Sequence, residues 1–507
     1  MTDVAEARTP WVLYGAVAVL PVLLSEAAVH HWLGRDLWDY TPVQSDDLSY
    51  WHQIVTFSRV GFHNGYYSYQ EQLAPALSAY GFWGPVLPLL YGCLVALVGA
   101  SATVVVDLNV LVLVACVGAA MAVARPGRRR TLLVAALVGT CVPLLFYIPT
   151  GMQETVHYGL AVLLAALFHR LMRAGQGART RPTGWLVAVI LLGALLRAPW
   201  GILLIPAGVL ACRGNPRRAA AAAGAGAVGA VCLGLLFSIW SAPYPYVNLD
   251  KIRFAATLHE RVSALVATIG HNVRQLPRFQ PVWLIGNAQR YQVIAMVVLG
   301  LGLLGAAWRQ QRRDQAMLAG VVTAAVLLPL CLVIAVYEIA AGTRILGPHL
   351  LFAGVLVALH APRGRLLAVP VLLVVTGLAA VPLLRTDVIT IDRANFLDGV
   401  GARAVTAFHG QLGGQLAYRP GADRWCNTLL VSTDPVFFPE LRAVPPGIGV
   451  SVDIDHMFGG PLKSAYVLAN DVRKPLLPDG GARLVPLART SRGTLYRNPD
   501  SPCFTPR

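Results

Sequence analysis

Charge is what this chain has least of: Asp, Glu, Lys and Arg make up 13% of 507 residues, against 56% hydrophobic. So little charge cannot cover a soluble globule of this length, and apolar runs of roughly 15 to 25 residues between Trp11 and Leu384 require a bilayer around them. Acidic residues are the scarcer sign, 25 against 41 Lys and Arg, which leaves a formal charge of +16. In a soluble protein that excess would point to nucleic acid. Here the arginines cluster between apolar runs, at Arg125, Arg128, Arg129 and Arg130; at Arg170, Arg173, Arg179 and Arg181; at Arg213, Arg217 and Arg218; at Arg309, Arg312 and Arg313; and at Arg363 and Arg365. That is the positive-inside pattern of cytoplasmic turns, so the expected partner is the bilayer and not nucleic acid. No repeat at a fixed period and no matching Gly/Pro-interrupted segments appear in two halves, which counts against an inverted-repeat transporter. The polar tail lacks a Gly-rich phosphate loop, a nucleophile elbow and a zinc motif. Of eight cysteines, six (Cys93, Cys116, Cys141, Cys212, Cys232, Cys331) lie in apolar runs as packing residues. Cys426 and Cys503 lie in the polar tail, where an exported pair is free to form a disulfide.

These patterns predict an α-helical multi-pass membrane protein of about eleven transmembrane helices with a small C-terminal extracytoplasmic α/β domain. The first run, Trp11 to about Val29, has no small-residue cleavage site and reads as an uncleaved helix with a cytoplasmic N-terminus. Further spans are expected near 103–124, 131–148, 155–171, 184–197, 198–212, 219–241, 290–308, 315–338, 348–361 and 366–384. They put every arginine cluster on the cytoplasmic side and 30–102, 242–289 and 385–507 outside. The run from Phe82 to Val98 would reverse that order if it crossed, so it reads as a juxtamembrane or re-entrant helix. The stretch 184–212 reads as a broken hairpin around Arg197-Ala198-Pro199-Trp200. The division is a membrane module over 1–385, whose outer loop 30–102 carries juxtamembrane helices, and a domain over 386–507. In that domain 428–432, 466–469 and 494–496 read as strands and 392–412 as a helix. High Ala, Gly and Arg content suits a GC-rich bacterial genome, hence a bacterial inner membrane.

The chemistry-bearing stretch is the first outer loop, Asp39-Tyr40-Thr41-Pro42-Val43-Gln44-Ser45-Asp46-Asp47-Leu48-Ser49-Tyr50-Trp51-His52-Gln53. It reads as an amphipathic helix with Ser45 as N-cap and Leu48, Trp51 and Val55 toward the membrane. Asp46 and Asp47 then lie at the bilayer surface beside a helix N-terminus, which favours ionised carboxylates; plain capping groups in a solvated loop would look the same. Tyr50, Trp51, His63 and Tyr66 supply aromatic faces and polar atoms suited to sugars. Arg344 stands against the positive-inside trend, either paired with Glu338 or binding phosphate with His349. Arg197, inside an apolar run, is a second candidate cation or a cap on backbone carbonyls. Glu154 and His157 sit at the outer end of a helix and join the cleft as substrate-binding candidates. With Asp46 they make a poor divalent-cation signature, so no metal and no cofactor is expected. The outer loop 243–290 is basic through Lys251, Arg253, His259, Arg261, His271, Arg274, Arg278 and Arg290 against Asp250 and Glu260. It suits anionic lipid heads, an acidic glycan or simply water, and carries no assigned site.

An acidic pair in this "DD..YW" setting, after a first transmembrane helix and before basic cytoplasmic turns and an exported C-terminal domain, resembles the GT-C fold glycosyltransferases. These are polyprenyl-phosphate-sugar-dependent enzymes that include protein mannosyltransferases, aminoarabinose transferases and mycobacterial arabinofuranosyltransferases. The resemblance covers the plan from Trp11 to about Leu384. It implies inverting transfer of a sugar, such as arabinofuranose or mannose, from a polyprenyl-phosphate donor to an extracytoplasmic glycan, lipid or protein. It also implies that Asp46 is the general base, with Asp47 as support or substitute; many members carry Asp-Glu where this chain has Asp46-Asp47. Arg344, with His349 and Arg197, is then the donor-phosphate ligand. A transporter or flippase for a lipid-linked or anionic solute is the alternative, and a non-catalytic assembly subunit a third.

Overall fold

A computed structural model describes residues 11–42, 45–63, 67–69, 71, 83–174, 180–241, 256–279, 284–360, 364–395, 400–434, 438–453 and 461–504. The helices in chain order are α1 (Trp11–Leu33), α2 (Ser45–Val60), α3 (Val86–Val98), α4 (Val104–Ala124), α5 (Arg128–Gly139) and α6 (Val142–Tyr147). They continue as α7 (Glu154–Arg173), α8 (Thr180–Leu196), α9 (Leu204–Ala211), α10 (Pro216–Trp240), α11 (Leu258–Gln275) and α12 (Leu284–Arg309). The last are α13 (Arg313–Val336), α14 (Ile339–His360), α15 (Ala368–Asn395) and α16 (Val400–Leu412).

Among the described residues seven helices are long and apolar enough to cross a membrane: Trp11–Leu33, Val104–Ala124, Glu154–Arg173, Pro216–Trp240, Leu284–Arg309, Asp314–Val336 and Arg365–Val388. Four shorter apolar helices accompany them, Val86–Val98, Pro182–Leu196, Ala198–Ala211 and Arg344–His360. The chain is a mostly helical, multi-pass membrane protein. Where the sequence suggests one span over 131–148, the chain makes two helices, α5 and α6, interrupted at Thr140 and Cys141 just before Pro143. Around Arg197 the helix α8 gives way to a 3-10 turn, Ala198–Leu203, before α9 resumes. Pro199 in that turn lacks the N–H that a continuous helix would need. α3 has 13 residues and packs against α2.

α7 is the hub. Every residue from Glu154 to Val162 is buried, and the helix packs against α4, α14 and α8. Its approach to α14 is set by Gly347, where a Cβ would collide with the Tyr158 hydroxyl and lie 2.6 Å from Gln289 Nε2. α10 is the opposite case, with Val228, Val231, Leu235 and Ile239 exposed, a surface suited to lipid.

The amphipathic reading of α2 is corrected. Leu48, Trp51 and Val55 do not face the membrane but are buried inside the protein, as are Tyr50, His52, Gln53 and Ile54. The reason is that α2 is covered by α3, α4 and the turn Pro439–Ala443 of the C-terminal domain. The Ser45 side chain lies outside the described residues.

The tail forms strands β2 (Thr428–Ser432), β3 (Gly449–Val452), β4 (Tyr466–Ala469), β5 (Val485–Thr490) and β6 (Gly493–Arg497). They lie in a sheet of order β1-β3-β2-β4-β6-β5. The edge strand β1 (Tyr67–Tyr69) comes from the first outer loop and pairs parallel with β3, Tyr67 opposite Val450 and Tyr69 opposite Val452. Glu71, just beyond it, is 3% exposed and accepts from Lys463 N at 2.6 Å and Ser464 N at 2.8 Å. The first outer loop is thus built into the C-terminal sheet. A disulfide joins Cys426, before β2, to Cys503, after β6.

Candidate active site

Asp46 and Asp47 open α2 and are buried, 5% and 3% exposed. Arg344 lies on α14, inside the helix and not in a loop before it as the apolar pattern suggests; the helix begins at Ile339 and runs on through Pro348. Pro348 has no N–H for the Arg344 carbonyl four residues back, so the helix is weakest at this turn. Arg344 Nη1 donates to Asp46 Oδ2 at 2.7 Å, and its Nε lies 3.8 Å from Glu154 Oε1. Arg197, at the break after α8, donates from Nη2 to the same Glu154 oxygen at 2.7 Å. Two carboxylates and two guanidinium groups therefore alternate in one buried chain, Asp46, Arg344, Glu154, Arg197.

Trp83 ties the cationic ends together. Its ring centroid lies 4.9 Å from Arg197 Cζ and 5.5 Å from Arg344 Cζ. Each contact is worth about 0.5–2 kcal/mol. The centroid of Tyr337, at the entry to α14, is 6.4 Å from that of Trp83.

Asp47 faces the other way. It accepts a hydrogen bond from Tyr40, whose hydroxyl in turn accepts from Gly151 N at 3.1 Å. Burial pushes its carboxyl up to about 7, against the lowering effect of the Tyr40 bond; neighbouring Asp46 and Glu154 raise it further. Tyr40 and Tyr50, both buried, are held well above the ordinary phenol range, by burial first and nearby carboxylates second. Tyr50 feels Asp46, Glu154, Arg197 and Arg344, so it borders the cluster.

The cluster is charge-balanced but not hydrogen-bond-saturated. Among the described residues, Arg197 Nε and Nη1, Glu154 Oε2, both amide atoms of Gln153 and the Tyr50 hydroxyl are buried without a hydrogen-bond partner. Each such atom costs about 1–3 kcal/mol, so their concentration around the ion-pair chain singles it out as the candidate site. The donors of Arg197 suit the oxygens of a phosphate.

The remaining candidates divide. Trp200 Nε1 donates to His157 Nδ1 at 3.0 Å, and His349 stacks on the Trp200 ring at 4.3 Å. His157 and His349 therefore support the Arg197 side through Trp200. Trp51 Nε1 donates to Ser101 O at 2.8 Å, and its ring lies 5.3 Å beneath Arg442 Cζ of the C-terminal domain. His63, past the far end of α2, lines a separate cavity with Phe62, Tyr418, Gly421, Ala422, Arg424 and Asn427. Tyr66 lies outside the described residues. Among the described residues, no three His, Cys, Asp or Glu side chains are grouped to hold a metal ion. Sequence reasoning missed Trp83, Tyr40, Gln153 and Trp200. The Trp200 signal was present, an aromatic directly after a proline and three residues from an intramembrane arginine; nothing local distinguished Tyr40 or Gln153.

No protein-family model and no curated protein matches the chain. Solved structures do. The apo form of ArnT from Cupriavidus metallidurans is 13% identical over 98% of this chain and 99% of its own, with a TM-score of 0.42. The same protein bound to undecaprenyl phosphate gives 13% identity, the same coverage and 0.39. The apo oligosaccharyltransferase of Archaeoglobus fulgidus is 11% identical over 97% of this chain and 74% of its own, with a TM-score of 0.47.

Proposed function

We propose that this chain is an inverting glycosyltransferase that moves a sugar from a polyprenyl-phosphate donor to an extracytoplasmic glycan, lipid or protein. The observation that carries the reading is the buried Asp46, Arg344, Glu154, Arg197 chain, with the open donors of Arg197 at one end and a carboxylate pair at the other. In the reaction so read, the donor phosphate takes the guanidinium of Arg344 together with the free N–H groups of Arg197. Asp46, released from Arg344, accepts the proton of the acceptor hydroxyl. The hydroxyl oxygen attacks the anomeric carbon from the face opposite the phosphate, and the bond from that carbon to the phosphate oxygen breaks. The electron pair leaves on the polyprenyl phosphate, whose added charge the two arginines stabilise in a site shielded from water. Glu154 holds both guanidinium groups in register between turnovers. Asp47, Tyr50, Trp51, His157 and His349 position these groups, and no metal ion is assigned a role.

The same reading places the protein in a bacterial plasma membrane, N-terminus cytoplasmic, with α2 and the domain over 386–507 on the extracytoplasmic side. Arabinofuranose and mannose are the first sugars to try. The test is a transfer assay with the reconstituted protein and a panel of radiolabelled polyprenyl-phosphate sugars. One donor is expected to be used, with turnover falling about 10²–10⁴-fold in Asp46→Asn while donor binding persists. Equal transfer by Asp46→Asn, or none from any donor, defeats the proposal.

A further inference from the structure

α11 divides into three faces. Ala264, Leu265, Thr268 and Asn272 turn toward the protein, with Asn272 fully buried. Leu258, Val262, Val266, Ile269 and Val273, at spacings of three and four, form a stripe whose residues are 37% to 78% exposed. His259, Arg261, His271 and Arg274 are exposed beside it, and the acidic Glu260 is occupied in the capping box with Thr257. A helix with a docking face, an apolar stripe and a basic remainder is shaped for the edge where protein, lipid and water meet.

The depth of that edge is fixed by Asn272. Its Nδ2 donates to Ile334 O at 2.9 Å and Tyr337 O at 2.6 Å, and its Oδ1 accepts from Ile339 N at 3.0 Å. These three residues are the end of the span Asp314–Val336 and the start of α14. So α11 is tied to a membrane-span terminus, with its stripe exposed. Arg290 Nη1 holds the other end, donating to Gln275 O at 3.2 Å.

We infer that α11 docks its Leu258–Val273 stripe into a membrane surface carrying anionic lipid headgroups, and that Asn272 fixes the α13–α14 junction, and with it Arg344, to that seat. The stripe supplies apolar burial, and the arginines beside it complement the headgroup charge. Asn272 is a positioning residue: it satisfies two carbonyls and one N–H at the point where α13 ends and α14 begins, five residues before Arg344. The second half rests on the donor-phosphate reading of Arg344; the first does not.

The test uses the full chain in nanodiscs with a phosphatidylglycerol that bears a diazirine beside its glycerol ester. Illumination is expected to label α11 on its stripe as well as α10, and Val262→Asp with Val266→Asp to cut α11 labelling about tenfold while α10 labelling stays. Labelling of α10 without α11, or equal labelling of α11 by a phosphatidylcholine probe, overturns the lipid seat or its anionic preference. Asn272→Ala is expected to raise the KM for the polyprenyl-phosphate sugar about tenfold with kcat unchanged. An unchanged KM overturns the coupling. Where Arg344→Lys is equally silent, the donor-site reading falls with it, and the lipid labelling still stands by itself.

Discussion

Asp47 shares a helix turn with Asp46 yet is set for different work. Its carboxyl is lifted to about 7 by burial, while Tyr40 pins it to the backbone at Gly151. Between the ordinary carboxylate range, about 4, and about 7, the folded protein keeps a proton on Asp47 that the unfolded chain has released. Stability therefore falls as pH rises through that window, and Asp47→Asn is expected to flatten the slope in thermal melts taken from pH 5 to 8. On the proposed mechanism, Asp47 in its ionised form supports Asp46. The acid limb of kcat/KM is then expected near pH 7 in the parent and absent in Asp47→Asn; an unchanged limb would assign the titration to another group. Arg344→Lys, which keeps the charge but loses the fork that reaches both Asp46 and Glu154, is expected to lower kcat/KM by about tenfold or more. Arg197 was singled out from sequence because a charge in an apolar run is costly, Arg344 because it stands against the positive-inside trend, and the acidic pair because it opens a helix in an aromatic outer loop. Tyr40, Gln153 and Trp83 were not, since an aromatic or amide in an outer loop is ordinary and acquires a role only through partners distant in sequence.

Among the elements, the hydrophobic runs showed where helices lie but not how they break. The interruption at Thr140 and Cys141 falls just before Pro143, a local signal that the apolar run outweighed, whereas the helical start at Ile339 ahead of Arg344 rests on the backbone bond made by Asn272, which leaves no local pattern. α2 was misjudged for a related reason: an amphipathic pattern records that one face is apolar, not whether lipid or protein covers it. The α7–α14 contact offers a direct check. Gly347→Ala forces Cβ into Tyr158 and Gln289, and the expected cost of about 1–3 kcal/mol would appear as a lower Tm. At the other boundary, Glu71→Ala removes the acceptor of two backbone N–H groups and is expected to loosen the first outer loop from the sheet. Faster hydrogen exchange at Lys463 and Ser464 would report it.

Across the whole molecule, membrane class and sheet strands at 428–432 and 466–469 were legible because long apolar runs and short β-rich runs are local signals. The joining of the two parts was not. β1 pairs with β3 from the far end of the chain, beside a Glu71–Ser451 hydrogen bond that spans 380 residues, and no periodicity announces a three-residue parallel edge. On the proposed function, deleting 390–507 is accordingly expected to reach the site over α2. It strips β1 of its partner, uncovers α2 at Trp51 and removes Arg442, so turnover itself is expected to fail even where the helical bundle still inserts. On the proposed mechanism the resting Asp46–Arg344 contact has a further, kinetic meaning. A base clamped by a cation is idle, so water entering ahead of the lipid finds nothing to activate it. Only an incoming phosphate that outcompetes the carboxylate unlocks proton abstraction, which imposes a compulsory order of arrival and protects the costly activated sugar from futile hydrolysis.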